Sequence, residues 1–344
     1  MTRLRRLVVD LRSPRPVWRI PPELVERIGA GVGSGWEITE VGEFAASDGE
    51  GGSGSAASVA AARGAEIYLG WGVPPGVVEA GRGTLRWAHT ATAGVGQTLN
   101  ALLGSGIVLT NSAGTHAEPM ADWVIAAVGY FARGLDYLVP AQREGRWIKE
   151  AFGNLEIPVR ELARLRVGLY GLGGIGSAVA RRALALGMSV AGIRRHPGRG
   201  GPDGLRWIGG FDALERLAAE SDALVIAAPR TTDTERSVGR RVLERLPVGA
   251  IVVNVSRGAV LDDEALLAGL AGGAIRGAAL DVFTTEPLPT GHPFWGHPRV
   301  LVSPHVSAVT SQFWDREGAL ILDNLGRYLE GKSLRNVVNL ETGY

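Results

Sequence analysis

A glycine-rich segment near the middle of the chain constrains the fold more than any other feature. Residues 171–176 read GLGGIG, follow the apolar run Val167–Tyr170 and open a helical pattern over Ile175–Leu186. A buried strand that turns through glycines directly into a helix is the first unit of a parallel, doubly wound sheet. Free N–H groups and the helix dipole at such an N-terminus favour an anion such as a pyrophosphate. The segment therefore predicts a dinucleotide-binding domain.

The glycines of this segment have separate expected roles. Gly171 permits the tight turn, Gly173 lets the backbone approach a pyrophosphate, and Gly176 lets the helix pack closely on the strand. The alternative is a glycine-rich turn with a purely structural role, which this strand–turn–helix context disfavours.

The residues after the second predicted strand bear on which dinucleotide is bound. An enzyme specific for NAD usually places Asp or Glu there, bonded to the ribose hydroxyls. Here the strand Ser189–Ile193 runs into Arg194 and Arg195. Two guanidinium groups can bind the 2′-phosphate of NADP, which a carboxylate would repel. We therefore expect NADP(H) to be favoured over NAD(H), with a solvated basic loop as the alternative.

Short apolar runs alternate with helical patterns in two series, separated by the polar stretch Arg143–Leu165. Such alternation predicts parallel sheets covered on both faces, and the six strands of the second series match a doubly wound sheet. The predicted strands are Leu7–Val9, Trp36–Val41, Ile67–Leu69, Leu85–His89, Ile107–Thr110, Arg166–Tyr170, Ser189–Ile193, Ala223–Ala227, Ala250–Val255, Ala278–Val282 and Val300–Ser303. The other predicted helices are Pro22–Ile28, Gln97–Leu103, Ala117–Arg133 and Asp315–Leu329, and Ser47–Ser58 is predicted to be a flexible loop.

Composition excludes several classes of function. The 344 residues carry 36 basic and 35 acidic side chains, a net charge of +1, which argues against nucleic-acid or membrane partners bound through bulk charge. The absence of cysteine excludes disulfides and thiolate chemistry. The six histidines show no metal-binding spacing, so we expect no metal site. With neither a signal peptide nor an apolar run of about 20 residues, a cytoplasmic location is expected.

Three side chains that suit hydride-transfer chemistry follow the ends of predicted strands, where doubly wound folds bind their ligands. Arg257 can bind a carboxylate and polarise a ketone with its planar fork. His305 can supply a proton, and Glu286 can orient its ring and favour its charged form. Each residue alone also fits an ordinary loop side chain. Their shared placement predicts a catalytic set for reducing a 2-keto acid.

Several segments together resemble the D-isomer-specific 2-hydroxyacid dehydrogenase family over nearly the whole chain, and the glyoxylate/hydroxypyruvate reductase-like branch within it. The resemblance implies two doubly wound α/β domains: a flavodoxin-like substrate domain split between residues 1–117 and 309–344, and an inserted Rossmann NAD(P)-binding domain, residues 118–308. It also implies a homodimer. The matching segments are Ala93–Val95, Asn111–Gly114, Gly171–Gly176, Pro229–Thr234, Asn254–Gly258, Ala279–Pro289 and Ser303–His305.

The resemblance also assigns site residues. It implies Arg257, Glu286 and His305 as catalytic, and the backbone of Ala93 and Gly94, with Arg257 and His305, as the substrate-binding groups. Asp281 is expected near the nicotinamide amide. The expected cofactor-binding residues are Gly171, Gly173, Gly174, Ile175, Gly176, Arg194, Arg195, Pro229, Thr234, Val255, Ser256, Arg257, Asp281 and His305.

The sequence departs from the family pattern at three positions. Gly96 stands where Asp often follows A-G-V, Asp122 replaces a usual Glu, and Arg230 replaces a common Leu. Arg230 would favour a second anionic group on the substrate if it points into the cleft, and has no such role if it points outward.

We expect NAD(P)H-dependent reduction of a small 2-keto acid, glyoxylate- or hydroxypyruvate-like, to the D-2-hydroxy acid, with the hydride from nicotinamide and the proton from His305. Two alternative functions on the same fold are also enzymatic. One is a specialised biosynthetic 2-ketoacid reductase, for which Gly96 and Arg230 would be the distinguishing residues. The other is an enzyme that acts on formate or phosphite. A third is a dinucleotide-sensing, corepressor-like scaffold, because such proteins can retain the catalytic set.

Overall fold

The computed structural model describes residues 4–43, 54–95 and 98–341. They form two compact units: a split unit from residues 1–116 and 309–344, and a central unit of residues 117–308. The boundary lies after His116, where the sequence predicted it after Ala117.

The described residues alternate strands and helices in both units. The strands are β1 Arg5–Asp10, β2 Trp36–Glu40, β3 Ile67–Gly70, β4 Trp87–Thr90, β5 Val108–Asn111, β6 Arg166–Tyr170, β7 Ser189–Ile193, β8 Ile208–Gly209, β9 Ala223–Ile226, β10 Ala250–Asn254, β11 Ile275–Leu280 and β12 Val300–Val302. The helices are α1 Pro22–Val32, α2 Ala56–Ala62, α3 Pro75–Ala80, α4 Thr98–Leu102, α5 Ala117–Ala132, α6 Leu135–Arg143, α7 Lys149–Gly153, α8 Gly174–Ala185, α9 Leu214–Ala219, α10 Arg240–Leu243, α11 Asp263–Ala271 and α12 Phe313–Leu329.

The split unit is a parallel sheet in the order β2-β1-β3-β4-β5, the flavodoxin-like order. Alternate side chains of β1 enter cores on opposite faces, Leu7 and Val9 on one face and Val8 on the other. The last helix, α12, returns to this unit and adds Phe313 and Ile321 to the core that holds Leu7. Both ends of the chain therefore build one sheet-and-helix unit.

The central unit is a parallel sheet in the order β12-β11-β10-β9-β6-β7-β8. Strands β7 and β8 are added on one side of β6, and β9 to β12 are added on the other. Side chains of β9 alternate between two cores, with Leu224 and Ile226 on one face and Ala223 and Val225 on the other. A strand buried on both faces reads as a continuous apolar run, which explains its sequence pattern. The doubly wound fold class is confirmed, with a Rossmann order in the central unit.

The central sheet differs from its prediction in two places. It contains seven strands rather than six, because the two-residue β8 pairs with Gly192 and Ile193 at the sheet edge. Strand β11 begins at Ile275, three residues before the predicted start. Its charged residue Arg276 is buried because it makes a two-bond ion pair with Asp136, at 2.7 and 2.8 Å.

The polar connection before the central sheet also holds structure that the sequence did not predict. Helix α6 forms just before the polar stretch Arg143–Leu165 although Pro140 lies inside this helix, and α7 forms within the stretch. Of the predicted loop 47–58, residues 47–53 lie outside the described residues, and 56–58 instead begin α2, capped by the Ser55 side chain. Among the described residues no single helix is both long and apolar enough to span a membrane; α5 and α6 meet that criterion only as a pair bent by 73°.

Candidate active site

Three neighbouring strands of the central unit bring the predicted catalytic side chains to one edge of the sheet. The last residues of β10 and β11, Asn254 and Leu280, pair with each other, and Leu280 pairs with Val302 of β12. All three strands run parallel and end level, so the loops that follow them leave the sheet at the same edge. These loops carry Arg257, Glu286 and His305.

Glu286 and His305 form a hydrogen-bonded pair. The Nδ1 atom of His305 lies 2.8 Å from Oε2 of Glu286, while Oε1 of Glu286 accepts from the backbone N–H of Phe283 at 2.8 Å. A carboxylate at Nδ1 fixes the proton on that nitrogen and sets the orientation of the ring. No described residue bonds to Nε2, and the histidine side chain is 45% exposed. Nε2 is therefore the nitrogen available to another molecule.

The loop that carries His305 is anchored on Asp281, which is fully buried at the end of β11. The Asp281 carboxylate accepts from the Ser303 hydroxyl at 2.6 Å and from the N–H groups of Val306 and Ser307 at 2.9 and 3.0 Å. Its carbonyl also accepts from the N–H of His305 at 2.9 Å, and His305 adopts a left-handed φ of 55°. The sequence assigned Asp281 only to the nicotinamide amide and missed this anchoring role.

Arg257 follows a turn that Asn254 holds in shape. The Asn254 amide oxygen accepts from the N–H and hydroxyl of Ser256, each at 3.0 Å, and its amide nitrogen donates to the Arg257 carbonyl at 3.2 Å. Among the described residues, the exposed Arg257 guanidinium bonds only to its neighbouring carbonyl, Ser256, at 2.7 Å. A Cβ on Gly258 would lie 1.9 Å from the Phe283 carbonyl carbon. Glycine therefore lets the Arg257 turn pack directly on the loop that leads to Glu286.

The glycine turn between β6 and α8 fits a bound pyrophosphate. Gly171 has a φ of 107°, and a Cβ on Gly176 would lie 1.9 Å from the Gly171 carbonyl oxygen, so both glycines are required by the turn itself. Gly173 and Gly174 are exposed, and a Cβ on Gly173 would meet no atom within 4 Å. The backbone at the N-terminus of α8 is thus open to an anion. Ile175 in the first turn of α8 is half-buried.

The arginines after β7 each have a partner in this structure. Arg194 donates to the Gly200 carbonyl at 2.7 Å, within its own loop. Arg195 forms an ion pair with Asp233 at 3.2 Å, and its side chain is 35% exposed. Both cations directly follow β7, the second strand of the central unit along the chain, where the dinucleotide ribose is expected to bind.

The loop after β9 is closed by one threonine. The Thr234 hydroxyl donates to the Pro229 carbonyl at 2.6 Å and accepts from the Thr231 N–H at 2.8 Å. The exposed Arg230 of this loop pairs with Glu235 at 3.1 Å, which favours the outward alternative for its side chain. The turn residues Val255 and Ser256 are buried after β10.

Ala93 and Gly94 lie in the loop of the split unit that follows β4; we name residues 92–95 the β4 loop. The Asn111 amide donates to the Ala93 carbonyl at 2.8 Å, and the Thr92 hydroxyl donates to the Gly94 carbonyl at 2.7 Å. Within the described chain, the N–H groups of Ala93, Gly94 and Val95 have no acceptor. Consecutive unpartnered N–H groups form an anion-binding concavity.

The two remaining departures from the family pattern, Gly96 and Asp122, and the expected lack of a metal site can be compared with the structure. Gly96 lies outside the described residues. Asp122 on α5 pairs with Arg182 on α8 at 2.6 Å. The residues that the structure describes contain no group of three or more His, Asp and Glu side chains arranged to hold a metal ion.

Comparison with known proteins identifies the family of the chain. A family model described as D-isomer specific 2-hydroxyacid dehydrogenase, NAD binding domain, matches residues 125–307. The chain is 34% identical to glyoxylate/hydroxypyruvate reductase B of Pectobacterium carotovorum subsp. carotovorum (strain PC1), covering 74% of this chain and 79% of that one. It is also 34% identical to glyoxylate reductase of Korarchaeum cryptofilum (strain OPF8), covering 69% and 70%.

A solved structure extends the similarity to the whole chain. The D-isomer specific 2-hydroxyacid dehydrogenase from Xanthobacter autotrophicus Py2, crystallised with NADPH and MES, aligns with a TM-score of 0.75 at 28% identity. The alignment covers 99% of this chain and 100% of that one. The chain therefore belongs to the D-isomer-specific 2-hydroxyacid dehydrogenase family and is an NAD(P)-dependent oxidoreductase.

Proposed function

We propose that this oxidoreductase reduces a small 2-keto acid, glyoxylate- or hydroxypyruvate-like, to the D-2-hydroxy acid. The observation that carries the proposal is the Glu286–His305 pair, with the histidine Nε2 unpartnered at the sheet edge that also carries Arg257. Two relatives that are 34% identical bear the names glyoxylate/hydroxypyruvate reductase B and glyoxylate reductase, which supports this substrate class.

In the proposed mechanism each side chain has one task. When bound, the reduced nicotinamide supplies the hydride for the carbonyl carbon. His305 donates its Nε2 proton to the ketone oxygen, and Glu286 stabilises the charged ring through Nδ1. Arg257 stabilises the negative charge that develops on that oxygen. The N–H groups of the β4 loop bind the substrate carboxylate.

We further propose that NADPH is favoured over NADH, because the end of β7 carries Arg194 and Arg195 in place of a carboxylate. Support comes from the relative of Xanthobacter autotrophicus, which was crystallised with NADPH. Arg195 is paired with Asp233, whereas Arg194 is held, among the described residues, only by a backbone carbonyl. Arg194 is therefore the cation that a 2′-phosphate can recruit without breaking an ion pair.

Arg194→Asp is therefore expected to lower the NADPH to NADH ratio of kcat/KM about tenfold to 100-fold, the range for losing one or two hydrogen bonds to a charged group. The measurement is kcat/KM with each dinucleotide at a saturating 2-keto acid. Arg199→Asp, on the same loop and exposed, is the matched control. An equal change in both variants would show that only the general charge of the loop matters, and no change in Arg194→Asp would exclude 2′-phosphate recognition there.

The alternatives gain no support from the described residues. The Arg230–Glu235 pair does not favour a second anionic group on the substrate, and so does not favour a specialised ketoacid reductase. A usual preference for NAD in enzymes of formate or phosphite disagrees with Arg194 and Arg195. A sensing scaffold predicts dinucleotide binding without turnover, and assays against a panel of 2-keto acids separate it from an enzyme.

We also propose a homodimer. Its support is the exposed apolar set on and after α6 in the central unit: Tyr137, Leu138, Val139, Trp147 and Leu155, with Trp147 90% exposed. Large exposed apolar side chains grouped on one segment are typical of an interaction surface. A monomer mass in sedimentation equilibrium would contradict the dimer. The cytoplasmic location and the absence of nucleic-acid or membrane partners stay predictions.

A further inference from the structure

We propose that Asn111 and Ser112, at the end of β5, are positioning residues that aim the N–H groups of the β4 loop at the substrate carboxylate. This inference rests on the proposed function, because it assumes that the β4 loop binds a carboxylate. It adds two residues that neither the motif pattern nor the catalytic set had assigned to substrate binding: Asn111 acts through its side-chain amide and Ser112 through its backbone N–H.

The carbonyl groups of the β4 loop are bonded one after another. The Thr92 carbonyl accepts from the Ser112 N–H at 3.0 Å, the Ala93 carbonyl from the Asn111 amide at 2.8 Å, and the Gly94 carbonyl from the Thr92 hydroxyl at 2.7 Å. Two of these three donors come from the residue pair that ends β5. The third lies within the loop itself.

These bonds determine where the N–H groups of the loop point. In a planar trans peptide the carbonyl and the N–H of the same unit point in opposite directions. The three bonded carbonyls belong to the same peptide units as the N–H groups of Ala93, Gly94 and Val95. Bonding each carbonyl on the inner side therefore turns the three N–H groups outward, and these are the groups that lack an acceptor among the described residues.

Asn111 is itself fixed at both ends of its amide. Its oxygen accepts from the Ala113 N–H at 3.1 Å, so the nitrogen is the end that faces Ala93. The side chain is buried, which removes water as a competing partner for the Ala93 carbonyl. A buried amide with both ends bonded holds its orientation firmly.

Ser112 links the loop to the C-terminal helix. Its hydroxyl lies 3.0 Å from the Thr90 carbonyl and 2.8 Å from Oε1 of Glu317 on α12. The same Glu317 oxygen lies 2.7 Å from Nε2 of His89 on β4, and all three side chains are fully buried. Helix α12 therefore holds Ser112, and through Ser112 it supports the β4 loop.

The expected kinetic signature follows from what the loop binds. A substrate carboxylate keeps its charge throughout the reaction, so its N–H contacts are made equally in the ground state and the transition state. Loss of such uniform binding raises KM and leaves kcat nearly unchanged. A residue that acts on the reacting atoms would instead lower kcat.

Asn111→Ala is expected to raise KM for the 2-keto acid about tenfold, with kcat within about twofold and the dissociation constant of NADPH unchanged. Asn324→Ala is the matched control. Asn324 is a buried amide of the same unit that also bonds a backbone carbonyl and N–H, both of Arg335 on the C-terminal segment. The Asn324→Ala variant is expected to lower the melting temperature by about as much as Asn111→Ala does, while its KM stays within about twofold of wild type.

The outcomes separate this inference from the proposed function. Wild-type protein without turnover on any 2-keto acid would overturn the proposed function, whereas wild-type turnover with an unchanged KM in Asn111→Ala would overturn only the positioning role. An equal rise in KM in Asn324→Ala would also overturn it, because general loosening of the unit would then explain the effect. If Asn111→Ala fails to fold, Asn111→Asp keeps an oxygen that accepts from the Ala113 N–H but removes the donor to the Ala93 carbonyl, and an unchanged KM there contradicts the proposal.

Discussion

His305→Gln is expected to lower kcat at least about 100-fold, the low end for the loss of a general acid. Glutamine places its amide near the position of Nε2, but that amide carries no proton that it can release to the ketone oxygen. The dinucleotide should still bind, since the residues expected to hold the pyrophosphate lie on the β6–α8 turn. Stopped-flow single turnovers with NADPH measure the chemical step directly.

The control for His305 is His297→Gln. His297 lies in the same unit and accepts a backbone N–H from Arg299 through Nδ1, but no acid in the described part of the chain pairs with it. We expect its kcat to stay within about twofold of wild type. Turnover of His305→Gln at the wild-type rate would remove His305 from the mechanism and leave the Glu286 pair without a catalytic role.

Arg257→Gln should lower kcat about 100-fold to 1000-fold, the range for removing one preorganised group that stabilises a developing oxyanion. The reason is the geometry of its turn: Asn254 and Gly258 hold the backbone, and the exposed guanidinium bonds, within the described chain, only to the Ser256 carbonyl. Arg257→Lys keeps the charge but loses the planar fork, so we expect an intermediate loss. The measurement is kcat and KM of both variants with the same 2-keto acid.

The order of the two substitutions is the informative result. If lysine and glutamine lower kcat equally, the fork geometry rather than the charge stabilises the reaction. If both raise KM alone and leave kcat intact, Arg257 binds the substrate uniformly and does not act in the transition state. That second result would contradict its proposed catalytic role.

Much of the fold could be predicted because local patterns of apolar, glycine and charged residues mark its strands and helices. Strands β6 and β7 begin and end where they were predicted, and their C-terminal ends are marked by Gly171 and Arg194. The edge strand β8 escaped prediction because its two residues need only one neighbouring strand and no apolar run. The early start of β11 escaped because Arg276 looks solvent-exposed until its partner Asp136, far away in the sequence, is known.

The candidate site was likewise predictable only where a local sequence pattern marks the residue. Arg257, Glu286 and His305 could be proposed because each follows a predicted strand end. The supporting contacts could not, because they join residues distant in the sequence: Asp281 binds the hydroxyl of Ser303 and the backbone beyond His305, and Asn111 binds the Ala93 carbonyl. No local pattern marks an acid or an amide for such a role. The arrangement of the chain in space is needed to see them.

The most direct test of the proposed function is dinucleotide oxidation by the wild-type protein with glyoxylate, hydroxypyruvate, pyruvate and phenylpyruvate, each with NADPH and with NADH. We expect faster turnover of glyoxylate or hydroxypyruvate than of the other acids, a higher kcat/KM for NADPH than for NADH, and formation of the D-hydroxy acid wherever the product is chiral. Tight NADPH binding without turnover of any acid would contradict the proposed function and would favour a sensing scaffold instead.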